Sequence, residues 1–213
     1  MAIHKVDVVV IGMDPGGEDA AARLAKAGLA VVGVEARLVG GECPYYACVP
    51  TKMMIRAAEA LAEARRVSEL AGSAQVRPDW TPVADRIRAE ATDNWDDTVA
   101  VDRFEKAGGR FLRGRARITA PGEVTVSTAD GQRVFHVTKG IVLNPGTEPA
   151  VPQVEGLADT PYWTNRDAVA VEQVPNSLIV LGGGPVGCEF APGLRSLRRG
   201  RDRGRGAVTA AAR

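Results

Sequence analysis

VDVVVIGMDPGGEDAAARLAKAGLAVVGVE, residues 6–35, decides the fold. Its opening, Val6 to Ile11, is an almost unbroken β-branched run, the mark of a strand covered on both faces inside a parallel sheet. Gly-rich sequence follows at once. Glu18 to Ala27 is Ala-rich with Leu24 and basic residues interleaved, hence helical, and Gly28 stops it. A second buried strand, Ala30 to Val34, ends in Glu35. Strand, turn, helix and strand in this order make a βαβ unit with parallel strands and a right-handed crossover.

The turn reads Gly12-Met13-Asp14-Pro15-Gly16-Gly17. In the dinucleotide fingerprint G-x-G-x-x-G, the first Gly makes the tight turn. The second lets a pyrophosphate approach the backbone, and the third permits close helix packing. Gly12 and Gly17 fit this pattern, whereas Asp14 stands at the second glycine position. Glu35, at the end of the second strand, is placed to accept hydrogen bonds from ribose hydroxyls. A plain βα turn is the competing reading, and the placement between buried strand and helix favours the nucleotide.

Working outward, residues 51–71 are strongly helix-favouring, and a further helix is expected over 82–107 after the Arg77-Pro78 break. From Arg110 the period changes to alternation. With Asp130-Gly131 as a hairpin turn, this predicts an antiparallel meander that returns to Ile141–Leu143. A connection containing Pro145, Pro149 and Pro152 leads to SLIVLGGGPVGCEFA, residues 177–191. Here a buried strand is followed by a complete fingerprint with Gly182, Gly184 and Gly187. The fold class expected is therefore α/β: a Rossmann-like dinucleotide domain with a helical excursion and a β-meander, plus the start of a second Rossmann unit. The expected divisions are 1–150, 151–190 as connection and second-unit start, and 191–213 as an aberrant, disordered or frameshifted Arg-rich tail.

The sharpest chemical signal is GGECPYYACVPTK, residues 40–52. Cys43 and Cys48 are separated by four residues just before a helix. Five helical steps advance about 7.5 Å, beyond the roughly 4.4–6.8 Å between Cα atoms that a disulfide allows. The segment must curl to close such a bond, which favours a reducible one. Cys48 sits where a helix N-terminus stabilises a thiolate. Lys52 lies one helical turn further on. Half of a zinc site is the rival reading, but His4, His136 and Cys188 lack ligand spacing, so no metal is expected. Cys188, one residue past the second glycine turn, reads as a packed core thiol. Two fingerprints with a cysteine pair point to electron relay from a nicotinamide through a flavin to a disulfide.

Composition narrows the class further. The 213 residues are 45% hydrophobic with 27 basic and 26 acidic side chains. They contain no apolar run long enough for a membrane span and no signal-peptide pattern at Met1. Three cysteines are too few for a disulfide-stapled secreted scaffold and point to a reducing cytoplasm. The net charge of +1 conceals an asymmetry. Residues 191–213 hold seven Arg against one Asp, so the remainder sits near −5.

The order of these motifs resembles the flavin-dependent pyridine nucleotide-disulfide oxidoreductases, the family of dihydrolipoamide dehydrogenase, glutathione reductase and mercuric reductase. The resemblance covers residue 4 to about residue 191, and CPYYACVPTK is its most specific element, similar to C-x-x-x-x-C-x-P-[ST]-K. It implies that Gly12, Pro15, Gly16, Gly17 and Glu35 bind the ADP half of FAD beside Asp14. Gly40 and Gly41 would line the flavin side, Gly114 would lie near the adenine, and Gly146 would also be cofactor-binding. Cys48 would be the thiol next to the flavin, capable of a charge-transfer contact, and Cys43 the interchange thiol that meets substrate. Lys52 would sit near the flavin N5. Gly182, Gly184 and Gly187 would open the NAD(P) domain, with Glu189 close to the nicotinamide. The activity implied is hydride transfer from NAD(P)H to FAD, then electrons to the cysteine pair, then to a small-molecule disulfide or other acceptor.

Departures from the family pattern carry physical consequences. Asp14 brings a negative charge beside the pyrophosphate, at a cost of roughly 1 kcal/mol in water and about 4 near a protein surface for charges about 4 Å apart. FAD affinity is expected to fall tenfold or more. Asn144-Pro145-Gly146-Thr147 replaces the family's A-T-G-[ST] turn, and Pro145 removes a backbone donor. The sequence ends inside the nicotinamide domain, so the family's homodimer domain is expected to be absent. In the tail, codons exist that spell PGLRSLRRGRDRGRG and, with one base dropped at Pro192, QAFARFGADVTVVEG, the continuation a family member would show. A frame slip is therefore expected there. Six Arg between 195 and 205 suit a polyanion, but no aromatic interleaves them and no nucleic-acid fold precedes them, so no nucleic-acid partner is expected. The alternative reading is a degenerate, non-catalytic flavin-fold fragment with a basic tail.

Overall fold

The computed structural model describes residues 3–197 and the backbone of 208–211. In chain order the elements are β1 (Ile3–Ile11), α1 (Pro15–Lys26), β2 (Val31–Glu35), α2 (Glu42–Tyr45), α3 (Cys48–Leu70) and α4 (Thr81–Arg86). There follow α5 (Thr98–Lys106), β3 (Arg110–Arg113), β4 (Arg115–Ala120), β5 (Glu123–Thr128), β6 (Gly131–Leu143), α6 (Asn165–Val169), β7 (Leu178–Leu181), α7 (Pro185–Leu197) and β8 (Val208–Ala211). They form two compact units, one of residues 1–43 with 95–148 and the other of 44–94 with 149–213.

The first unit is a six-stranded sheet in the order β3-β2-β1-β6-β5-β4. β3, β2, β1 and β6 are mutually parallel, and β6, β5 and β4 are antiparallel. The meander expected from Arg110 thus begins one strand later, because β3 lies parallel against β2. The β-branched run of β1 is explained by its central place. Val8 and Val10 face a core shared with Met13, Ala21, Ala25, Val31, Val39 and Phe104. Val6 and Val9 face another with Val32, Val34, Val124, Val126, Phe135 and Val137. A register shift between Val6 and Val8 changes which side chains share a face. Gly33 of β2 is required by packing, since the Met13 and Phe104 side chains lie where a Cβ would stand.

Position in this sheet fixes where a ligand can sit. From β1 the chain turns one way to β2 and later reaches β6 on the other side. The carboxyl ends of β1 and β6 therefore meet at a topological switch point, where open α/β sheets bind ligands.

The second unit is built on α3 and α7. Gly193 of α7 faces the Met54 Cβ of α3 closely enough that a methyl group there would stand 3.1 Å from it. The Trp80 indole N–H donates to the Val171 carbonyl at 2.9 Å. Helices expected to belong with the first 150 residues are thus grouped with the chain after Pro149. The helix expected over 82–107 is broken. Asp93, Asn94 and Trp95 all take positive φ, at 47°, 56° and 57°. Asp96 then accepts from the Thr98 N–H at 2.8 Å to start α5 afresh.

α7 also runs through the expected boundary at 191, burying Leu194 and Leu197. β8 pairs parallel with β7, so a second strand-helix-strand succession reaches into the stretch expected as an aberrant tail. The Arg-rich segment 198–207, with most of the proposed frame slip, lies outside the described residues. No helix among the described residues is long and apolar enough to cross a membrane.

Candidate functional site

In the first unit, sequence-distant residues converge at the crest of the parallel strands. The Gly12 N–H donates to Val34 O at 2.8 Å, and the Asn144 N–H to Ile11 O at 2.8 Å. Gly12 has φ +91°, and the Asn144 carbonyl fills the place of a Cβ. At Gly17 that place is filled by the Gly12 carbonyl, with Asn144 Nδ2 2.9 Å away. Both glycines are therefore demanded by the turn. Pro15 takes the first helical position, where its missing N–H costs nothing.

Glu35 closes the turn from β2. Its carboxylate accepts from the Met13 N–H at 2.9 Å and from the Arg37 N–H at 2.7 Å. Each carboxylate oxygen keeps a further lone pair for another donor. The Gly114 N–H donates to Glu35 O at 2.9 Å, and the Gly40 N–H to Met13 O at 2.7 Å. Gly114 is pressed against Val126 and Ser127, so packing as well as any ligand excludes a side chain there. Gly16 is exposed, with the Asn144 Oδ1 3.4 Å from its Cβ position.

Asp14 stands in the middle of this cluster. Its carboxylate occupies the Cβ positions of both Gly41 and Gly146, whose φ values are +61° and +73°. Two left-handed glycines from separate loops thus lie against one anionic side chain.

Sequence reasoning missed what holds the loop before Gly40. Asp97, 8% exposed, accepts from the Val39 N–H at 2.6 Å and from Arg113 Nη2 at 2.7 Å. The guanidinium of Arg113 also lies 4.7 Å from the centroid of Phe111. Asp97 lies 58 residues from Val39 in sequence, and no local pattern joins them. Asn144 Nδ2 is buried with no partner among the described residues.

The thiols belong to different segments. Cys43 is half-buried in the short α2, and Cys48 is exposed at the start of the 23-residue α3. All three cysteines are thiols in the structure. Cys188 is exposed rather than packed, correcting the expectation for it. It lies on the outer side of α7, and its thiol donates to Gly183 O at 3.3 Å.

Within the second unit, Cys48, Lys52 and Glu189 are brought together by a residue that the sequence reading passed over. The Thr51 hydroxyl, buried, contacts the Cys48 carbonyl at 3.4 Å and donates to the Glu189 carboxylate. Lys52 Nζ lies 3.7 Å from the other oxygen of Glu189. The C-x-P-[ST]-K spacing was the available signal, because it puts a hydroxyl directly before the Lys.

The second glycine turn repeats the first. Gly182 has φ +111°, and its carbonyl stands where Gly187 would carry a Cβ. At Gly184, the position matching Asp14, nothing lies within 4 Å. Both turns have the build of a nucleotide cradle, and a side chain stands at position 14 where the second has Gly184.

A family model described as pyridine nucleotide-disulphide oxidoreductase matches residues 6–203. The chain belongs to this family. Among its relatives, dihydrolipoyl dehydrogenase of Rhizobium etli is 32% identical over 217 residues, covering 90% of this chain and 43% of that protein. Mercuric reductase of Acidithiobacillus ferrooxidans is 32% identical over 201 residues, covering 91% of this chain and 36% of that one. This family member therefore spans less than half the length of these relatives. The solved Cu(II) complex of HOCl-induced flavoprotein disulfide reductase RclA from Escherichia coli superposes with a TM-score of 0.77. At 24% identity over 91% of this chain and 41% of that one, it supports the fold alone.

The cradle of the first unit suits the family's FAD. Gly12 and Gly17 are held in the fingerprint geometry, Glu35 keeps acceptor capacity, and the cluster lies at the switch point. The Asp14 carboxylate stands within it, against Gly41 and Gly146.

Proposed function

We propose that the chain carries the flavin-binding and dithiol part of an FAD-dependent NAD(P)H:disulfide oxidoreductase. The observation that carries this reading is the convergence of the Gly12 turn, Glu35, Gly40–Gly41 and Gly146 at the sheet crest. In this reading the Gly12–Gly17 turn and the start of α1 hold the diphosphate, and Glu35 accepts from the ribose. Bound FAD would supply a two-electron carrier between NAD(P)H and the Cys43–Cys48 disulfide, which that reduction opens to two thiols.

The chain's own residues do the rest. Gly182, Gly184 and Gly187 form the nicotinamide-nucleotide turn, whose openness at Gly184 leaves room for a phosphate. Cys48 stands exposed at the N-terminus of α3, one helical turn before Lys52. Lys52 places a positive charge beside Glu189, and Thr51 fixes the orientation of that carboxylate. With both cysteines reduced, the Cys43 thiolate attacks a substrate disulfide, forming a mixed disulfide and releasing one substrate thiol. Cys48 then attacks the Cys43 sulfur, releasing the second thiol and leaving a Cys43–Cys48 disulfide. Two electrons pass to the substrate, and the two released thiolates take the two protons. The acceptor is a small disulfide or another soft electron acceptor, and the setting is a reducing cytoplasm. In the family the working form is a homodimer.

The test is reconstitution. Protein incubated with FAD and passed through a desalting column should retain visible flavin absorbance. Mild oxidation should remove two titratable thiols together, and peptide mapping should find residues 43 and 48 joined. Cys48→Ser should abolish that loss of thiols. Colourless protein in which the two cysteines oxidise independently would refute the proposal. It would favour instead a non-catalytic flavin-fold fragment, the reading that the Asp14 carboxylate in the cradle supports.

A further inference from the structure

Resting on the flavin reading above, we infer that Asp14 is a built-in competitor for the dinucleotide's diphosphate, a side-chain anion that holds the phosphate seat and sets how tightly FAD is retained. Gly41 follows β2 and Gly146 follows β6, yet both turn bare, left-handed backbone toward the same carboxylate. Side-chain-free backbone from two loops beside the start of a 12-residue helix is the build of an anion seat. The Asp14 carboxylate lies within it.

The second glycine turn serves as an internal control. It has a first glycine of positive φ and the same contact between third glycine and first carbonyl, but Gly184 faces open space. At the seat itself, a phosphate must displace Asp14 in the first turn and nothing in the second.

Two consequences distinguish this from a general weakening of the fold. Charge and occupancy both oppose a diphosphate, so ligands that carry one are penalised. Riboflavin, which has the same ring system and no phosphate, is not. The penalty is also separable by substitution, since Asp14→Asn removes the charge and leaves the seat filled, while Asp14→Gly removes both. Glycine is an accepted N-cap residue, and the backbone at Asp14, φ −64° and ψ 172°, is open to any residue.

The experiment measures dissociation constants of FAD, ADP and riboflavin by calorimetry and flavin fluorescence on the full chain and on D14G and D14N. D14G is expected to bind FAD and ADP at least about tenfold more tightly than the parent, with D14N between them and riboflavin unchanged. Equal, finite FAD affinities in the parent and both variants would overturn the inference and leave the flavin reading standing. An equal gain for riboflavin would also overturn it, because the effect would not act through the phosphates. Failure of folded parent and folded variants to bind FAD at all would overturn both. If D14G does not fold by circular dichroism, D14N decides, and an unchanged FAD affinity in it overturns the inference.

Discussion

Asp97→Ala should cost about 2–4 kcal/mol, and the figure follows from what the carboxylate holds. Asp97 is 8% exposed and joins the Val39 N–H to the Arg113 guanidinium. Val39 is itself 1% exposed, so truncation leaves its N–H without an acceptor. Losing a bond to a charged acceptor costs roughly 1.5–3 kcal/mol. The ion pair adds less than the 3–5 kcal/mol of a fully buried one, because the Arg113 side chain is 41% exposed and water solvates it when the partner is removed. In a chain of this size the sum corresponds to a drop in melting temperature of about 4–16 °C. Urea unfolding of D97A, R113A and the double variant separates the terms. The double variant should cost less than the two singles together, since Arg113 has nothing to pair with once Asp97 is gone. Asp97→Asn should fall between, as its amide oxygen still accepts from Val39. A D97A stability within about 0.5 kcal/mol of the parent would refute the argument, because a surface substitution alone has that size.

Thr51→Val should lower stability by about 1–2 kcal/mol in urea titrations, while Thr51→Ser stays near the parent, because the hydroxyl and not the methyl reaches Glu189. The Asp7 carboxyl is held below the ordinary aspartate value, chiefly by the Ala30 N–H and then by Lys139 and Thr138, with burial opposing. A lowered native pKa means that the unfolded chain binds the proton more readily. The stabilisation is therefore present above about pH 4 and lost as pH falls through the native value. The melting-temperature difference between the parent and Asp7→Asn should accordingly be constant near neutrality and shrink toward zero in acid, as read from thermal scans across pH.

The parallel core was legible because burial on both faces leaves a continuous apolar run, and β1 and β2 fall within three residues of where Val6–Ile11 and Ala30–Glu35 place them. Local signals were also sufficient for α3, where good helix formers run without interruption. The break at Asp93–Trp95 was less visible, although Asn94 tolerates a left-handed backbone and Asp96 is a helix-starting residue. Both lie inside a stretch that otherwise favours helix. The grouping of α3 with α7 left no trace in the sequence, because it rests on contacts such as Thr51 with Glu189, 138 residues apart. The same holds for the Asp97–Val39 link. Cys188 was misplaced for a different reason: proximity to a glycine turn suggests packing, but which side of α7 faces out depends on neighbours far along the chain.

The two glycine turns together explain how one departure from a fingerprint can leave a fold intact and still alter binding. In each, the first and third glycines are fixed by protein contacts: the Gly12 carbonyl against Gly17, and the Gly182 carbonyl against Gly187. A side chain at Gly12, Gly17 or Gly187 would collide with the chain's own backbone, and Gly182 takes φ +111°, so folding itself demands glycine there. The middle glycine answers to a different requirement. At Gly184 no protein atom stands near, and at position 14 an Asp is accommodated with an unstrained backbone. The protein's own packing leaves room for a side chain at that position. Asp14 thus coexists with the parallel pairing of β1 and β2 around the turn.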